Sequence, residues 1–297
     1  MVTVAAGDRL SLSGVTVLGG TLNGAGTATV VNATVSGLTV GGGMALAVSG
    51  AITQTGGVII GDGTGTGASV SILSGAVWNL GGHGIALGAS GGKLLDYGLL
   101  VQNAGTGVSK VTVGIVDKGV IEAAVATLDF TVAVTGTGLM KIDAGATLEV
   151  DAGAVSMLTT TFNGANATLA LKSPTAFAST IGGLAVSDTI DLLGLAATGA
   201  SVNGSDQLVI VNGSKTIATL QLSGAYAGAI FKVGSDGAGG TDVTLLTAAA
   251  VLPPGGSAQA FAAAMAGLGA TAATLTALSS HAENWKPLLA SPSGRVA

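Results

Sequence analysis

Residues 119–150, GVIEAAVATLDFTVAVTGTGLMKIDAGATLEV, decide how this chain is to be read. Apolar and polar residues alternate there in short bursts broken by glycine, with a period near two. That is the pattern of short strands burying one side. The same style extends outward, from Val2 to about Leu171, through VTVLGG at 15–20, ATVVNATVSGLTVGG at 28–42, MALAVSGAITQTGG at 44–57 and ASVSILSGAVWNLGG at 68–82. Equivalent turns recur roughly every 15–25 residues, too short an interval for a strand–helix–strand unit. A parallel β-helix accounts for it, each coil giving two or three short strands that stack on the coil below. A β-sandwich is the alternative. Inward columns are expected at Val15, Val17, Leu22, Val30, Leu38, Val40, Leu46, Val48, Ile52 and Ile60, with Trp78 and Tyr97 as packing or surface residues.

Composition agrees with many strands and tight turns. Glycine supplies 51 of 297 residues and aromatics only 3 %, so the core must be built from Val, Leu, Ile and Ala. Glycine takes positive φ freely, and β-branched side chains pack well on a pleated surface. Collagen is excluded because glycine does not fall at every third place, and a mean hydropathy of +0.71 argues against disorder. Charged residues make up 8 % and the net charge is -5, with the ten basic residues scattered singly. Such a chain lacks the clustered Lys and Arg that phosphate backbones and anionic lipid require, so nucleic acid is not an expected partner. Without cysteine there are no disulfides and no thiolate metal sites. No uninterrupted apolar run long enough for a membrane helix occurs, so no direct membrane span is expected.

Two breaks divide the chain. Near Pro174 the strands lengthen, as in QLVIVNG at 207–213 and TIATLQLSG at 216–224, with NG and DG turns that favour tight reversals. The expected organisation is a β-solenoid over 1–173, a terminal β module or continuation over 174–250, a Pro/Gly linker over 251–256 and a short alanine-rich helical tail over 257–297. The fold class read from the sequence is therefore all-β, a parallel β-helix with a capping β module and a helical tail. Capping hides unpaired strand edges from other chains.

Over 119–246 the sequence resembles the glycine-rich β-solenoid repeats of bacterial autotransporter and large adhesin-like secreted proteins. The resemblance rests on a G-x-I-x-A coil followed by G-T-G-x-x-x-I-x-x-G-A-x-L-x-V, and on SDTIDLLGL and FKVGSDGAGGTDVTLL, which are similar to segments at solenoid ends. It implies corners at Gly136, Gly138 and Gly145, with Leu139, Ile142, Leu148 and Val150 alternating near the interior. It also implies a secreted or cell-surface protein with an adhesive, coating or biofilm-matrix role, contacting carbohydrate or protein or associating with itself. No signal-peptide pattern, outer-membrane barrel or run of calcium-binding nonapeptide repeats is read in these residues, so export would imply a signal that has been removed, lies at the C-terminus or belongs to a longer parent.

Candidate chemistry is sparse. Asp143, Glu149 and Asp151 in KIDAGATLEVDAG are the most tempting carboxylates; Glu149 and Asp151, two apart on one strand, point to one side as a carboxylate pair or cation site. The plainer reading is that they solvate the outer face while Leu148 and Val150 fill the core. Asp188 and Asp191 in SDTIDL, with Asp236 and Asp242 in SDGAGGTD, form a candidate calcium set, since calcium takes six to eight hard oxygens. Asp also caps turns with no metal. His83 and His281 stand far apart, and the glycine runs at 61–67 and 234–240 lack the lysine and helix of a phosphate loop. No catalytic residue is assigned. A scaffold is expected, and a β-helical polysaccharide lyase or depolymerase, recognised by a groove gathering carboxylates and a basic residue from different coils, is the alternative.

Overall fold

The computed structural model describes residues 1–64, 67–155 and 157–247, all within a unit spanning Met1–Ala249. Strands of three or four residues are too short to stand alone. They are held because each pairs, in parallel and in register, with the strand at the same place in the next coil. Thus Val108–Val111 pairs with Thr127–Phe130, Gly114–Asp117 with Val134–Gly136, and Val120–Ala123 with Leu139–Ile142. Three faces result. The first runs through parallel strands from Val2–Thr3 to Thr189–Leu192. The other two join into one sheet wherever a single long strand, such as Thr27–Ser36 or Ala45–Gln54, turns the corner between them.

The chain is therefore a parallel β-solenoid, and the sandwich alternative, whose sheets are antiparallel, does not describe it. Coil length varies: Leu22 aligns with Val40, 18 residues on, whereas Ile60 aligns with Leu87, 27 residues on. That longer coil contains a short loop at 61–64. Asp62 ties the loop down by accepting hydrogen bonds from the Gly42 N–H at 3.1 Å and the Thr64 N–H at 2.9 Å.

Inside, the rows are aliphatic. Val111, Phe130, Val150, Leu171 and Leu192 align across successive coils of the first face, as do Leu128, Leu148, Leu169 and Ile190, all fully buried. Leu22, Val30, Leu38, Val40, Leu46, Val48, Ile52 and Ile60 are buried as expected. Val15 and Val17 are only partly buried, because among the described residues no strand pairs on their other side. Leu139 is not an inward residue; Met140 and Ile142 are, since strand alternation cannot place both 139 and 142 on one side. Trp78 is a core residue whose Nε1–H donates to Gln54 Oε1 at 2.9 Å, and the Gln54 amide in turn donates to the Gly84 carbonyl at 2.7 Å.

Beyond Thr189–Leu192 the pairing changes. Gly199–Val202, Gln207–Asn212 and Lys215–Ser223 form an antiparallel meander, reversing at Gly213, whose φ of +61° suits glycine. Lys215–Ser223 returns in parallel to Thr180–Gly182. Ile230–Ser235 and Thr241–Thr247 form a hairpin that lies antiparallel against Thr189–Leu192 and covers the last first-face edge. The fold class needs one correction. No α-helix occurs among the described residues, and the one helical turn there is the 3-10 turn Pro174–Ala176, set by proline at its first position. The linker at 251–256 and the alanine-rich tail at 257–297 lie outside the described residues.

Facing can be tested at neighbouring positions, since Leu148 is fully buried and Thr147 is not. Leu148→Asp is expected to lower stability by several kcal/mol or prevent folding, because it buries an unpaired charge. Thr147→Asp is expected to cost less than about 1 kcal/mol in the same thermal melt.

Candidate functional site

Parallel register stacks outward side chains as strictly as inward ones. On the first face one outward row runs Lys110, Asp129, Glu149, Ala170, Asp191 and Asp242. Around its upper part the sequence offers an acid at nearly every step: L-D-F at 128–130 is laid directly under L-E-V at 148–150. Asp151 follows immediately. One carboxylate oxygen from each of Asp129, Glu149 and Asp151 lies within 4.8 Å of the others, and this is the one such set of three among the described residues. The three acids could hold a divalent cation such as calcium.

Two lysines border the set. Lys110 Nζ meets Asp129 Oδ2 at 2.7 Å and Lys172 Nζ meets Asp151 Oδ2 at 3.6 Å. Asp129 is only 2 % exposed despite its outward position, hemmed in by these neighbours. Burial raises the pKa of Glu149, and the charges of Asp129 and Asp151 raise it further. The hydrogen bond and charge of Asp129 raise that of Lys110, which therefore stays a cation. Beside Lys110 the outer surface becomes a shallow trough of about 480 Å³, bordered by Gly37, Gly57, Gly84, Ile59 and Thr112.

Asp143 does not join Glu149 and Asp151. It sits on another face, where Lys141 bridges it at 3.1 Å and also pairs with Glu122, and the Asn163 side chain donates to it at 2.7 Å. Its place is taken by Asp129, which sequence reasoning missed. The available signal was the twenty-residue offset between LDF and LEV, the length of one coil.

The four aspartates of the candidate calcium set are placed unequally. Asp188 is fully buried and caps a turn, its two oxygens accepting the Ala167 and Ala185 N–H groups at 3.1 and 2.9 Å. Asp191 stands directly opposite Asp242 across the antiparallel pair. Asp236 accepts the Ala238 and Gly240 N–H groups at 2.7 and 2.9 Å, closing the hairpin loop. Burial, then the charges of Asp242 and Asp236, push Asp191 up to about 6.

Compared with protein-family models and with curated protein sequences, the chain matches none. Assignment therefore rests on the residues themselves. No helix among the described residues is long and apolar enough to cross a membrane.

One further acidic pair lies inside the coils. Asp96 and Asp117 align in successive coils, both fully buried. Each caps an Asp-x-Gly turn through Oδ1, accepting the Gly98 or Gly119 N–H at 2.9 Å, and each leaves Oδ2 buried without a partner. Gly138 is needed above Asp117, since a Cβ there would meet its Oδ2 at 2.3 Å. Burial pushes Asp96 up to about 6, and burial plus the charge of Asp96 pushes Asp117 up to about 7.

A carboxyl whose pKa is higher folded than unfolded binds protons preferentially in the folded chain. Its stabilising contribution is full below the unfolded value near 4 and is lost as pH rises to about 7. Asp117→Asn is thus expected to be more stable than the parent at pH 8, by on the order of 1–3 kcal/mol, and nearly equal to it at pH 4. Denaturant melts at the two pH values read this directly; an equal difference at both would contradict it.

Proposed function

We propose that this chain is a structural or adhesive scaffold of a secreted or surface-displayed bacterial protein, whose coils and loops meet carbohydrate or protein. The observation that carries this reading is the unbroken parallel pairing of the first face from Val2–Thr3 to Thr189–Leu192. It sets outward side chains at a repeat of about 4.8 Å, a regular surface suited to a repetitive polymer or a second protein. The resemblance to adhesin-like solenoid repeats points the same way. So does the scarcity of charge, which leaves Thr, Ser and Asn as the main outward polar groups.

The cluster of Lys110, Asp129, Glu149 and Asp151 supports a second reading, a polysaccharide lyase or depolymerase, because it gathers acids and bases from different coils. Its chemistry suits that reading less well. Lys110 is held as a cation by Asp129 and is a poor general base. Self-association into a matrix is a further form of the scaffold role.

The test is incubation of the full chain with a panel of neutral and anionic bacterial polysaccharides, measuring both retention and new chain ends. Saturable binding without new reducing or unsaturated ends is the expected result. Release of ends that disappears in Glu149→Gln would replace the scaffold reading with the enzymatic one.

A further inference from the structure

The lysines around the acidic cluster leave it incompletely satisfied. Lys110 and Lys172 each engage one oxygen, Asp129 Oδ2 and Asp151 Oδ2. The other oxygens, Asp129 Oδ1 and Asp151 Oδ1, are buried and have no hydrogen-bond partner. An unpaired buried carboxylate oxygen is costly, and here two of them belong to one cluster together with Glu149. Asp129 is itself almost wholly buried. Three acids against two lysines also leave negative charge uncompensated.

We propose that Asp129, Glu149 and Asp151 bind a calcium ion that clamps the Thr127–Phe130 strand to the Thr147–Val150 strand of the next coil. The ligand type follows from the donors. All are carboxylate oxygens, with no histidine or cysteine in the set, which selects a hard cation over zinc or copper. Calcium accepts irregular coordination at about 2.3–2.6 Å and completes its shell with water, so oxygens up to 4.8 Å apart can lie on opposite sides of one ion. Magnesium demands a tighter octahedron and gives up its water reluctantly, so this partly exposed set of three acids favours the larger ion. The site lies on the solenoid's own strands, with two ligands in directly paired positions, Asp129 and Glu149. It is separate from Asp191, Asp236 and Asp242, whose donor atoms do not meet the same proximity.

The experiment uses the full chain freed of metal with chelator, at pH 7.5 and 0.15 M NaCl, titrated with calcium chloride by calorimetry and melted with and without the ion. One calcium per chain is expected, with saturating ion raising Tm by roughly 5 °C. Asp129→Asn and Glu149→Gln should each weaken binding at least tenfold, and Asp242→Asn should leave it unchanged. Glu149 is only partly buried, so Glu149→Gln keeps the test open if Asp129→Asn fails to fold. No calcium heat and no Tm shift in the parent chain would overturn the proposal. Unchanged affinity in Glu149→Gln, or loss confined to Asp242→Asn, would also overturn it. An equal response to magnesium would overturn the assignment to calcium.

Discussion

Backbone hydrogen bonds running from each coil to the next fix where the side chains of the described coils stand. Because the pairing is parallel and in register, a residue meets its counterpart one coil away at about 4.8 Å. For apolar side chains this is favourable: Val111, Phe130, Val150, Leu171 and Leu192 become one continuous buried row. For acids the same rule is costly, since like charges directly opposite each other repel. Two acid stacks follow from it, and the antiparallel terminal hairpin sets a third pair of acids opposite each other. Asp129 and Glu149 are flanked by lysines, Asp96 and Asp117 are buried with raised pKa values, and Asp191 faces Asp242 where the terminal hairpin covers the stack. The chemistry of the molecule is concentrated where the repeat brings like groups together.

Stacking also explains the abundance of glycine better than turn-making alone. At Gly50 the φ of +65° favours glycine, and a Cβ there would lie 2.1 Å from the Asn32 side-chain oxygen of the coil below. That oxygen accepts the Ala51 N–H at 2.9 Å, so the corner of one coil is pinned by the side chain of another. A glycine in such a place records an inter-coil contact as well as a local bend.

The class of fold was legible because alternation and glycine spacing are local features. Leu148 and Val150 read inward from their own strand, and the structure buries both. The phase of a strand was harder: Leu139 and Ile142 cannot share a side, and only the pairing of Met140 with Ile121 shows which one turns in. The NG reversal at 212–213 was readable, since glycine at positive φ is a local signal. Side-chain clusters were not, because they depend on register between coils of unequal length. Asp129 lies far from Asp151 in sequence and within reach of it in space, whereas Asp143, close in sequence, is carried by the corner to another face. The same logic placed Asp191 and Asp242 together and turned Asp188 into a turn cap.

Coil-to-coil stacking can be measured directly, since the chain has no cysteine and any introduced pair is unique. Ser11, Thr29, Ala47, Ser71, Leu95, Val116 and Thr135 form one outward row through six consecutive pairings. Spin labels at Ser11 with Leu95, and at Ser11 with Thr135, sample four and six of those steps. Pulsed electron-spin distance measurement should find the second separation longer than the first by about 10 Å, two further steps of about 4.8 Å. Equal separations, or a shorter second one, would contradict a parallel stack and return the chain to a sandwich-like arrangement.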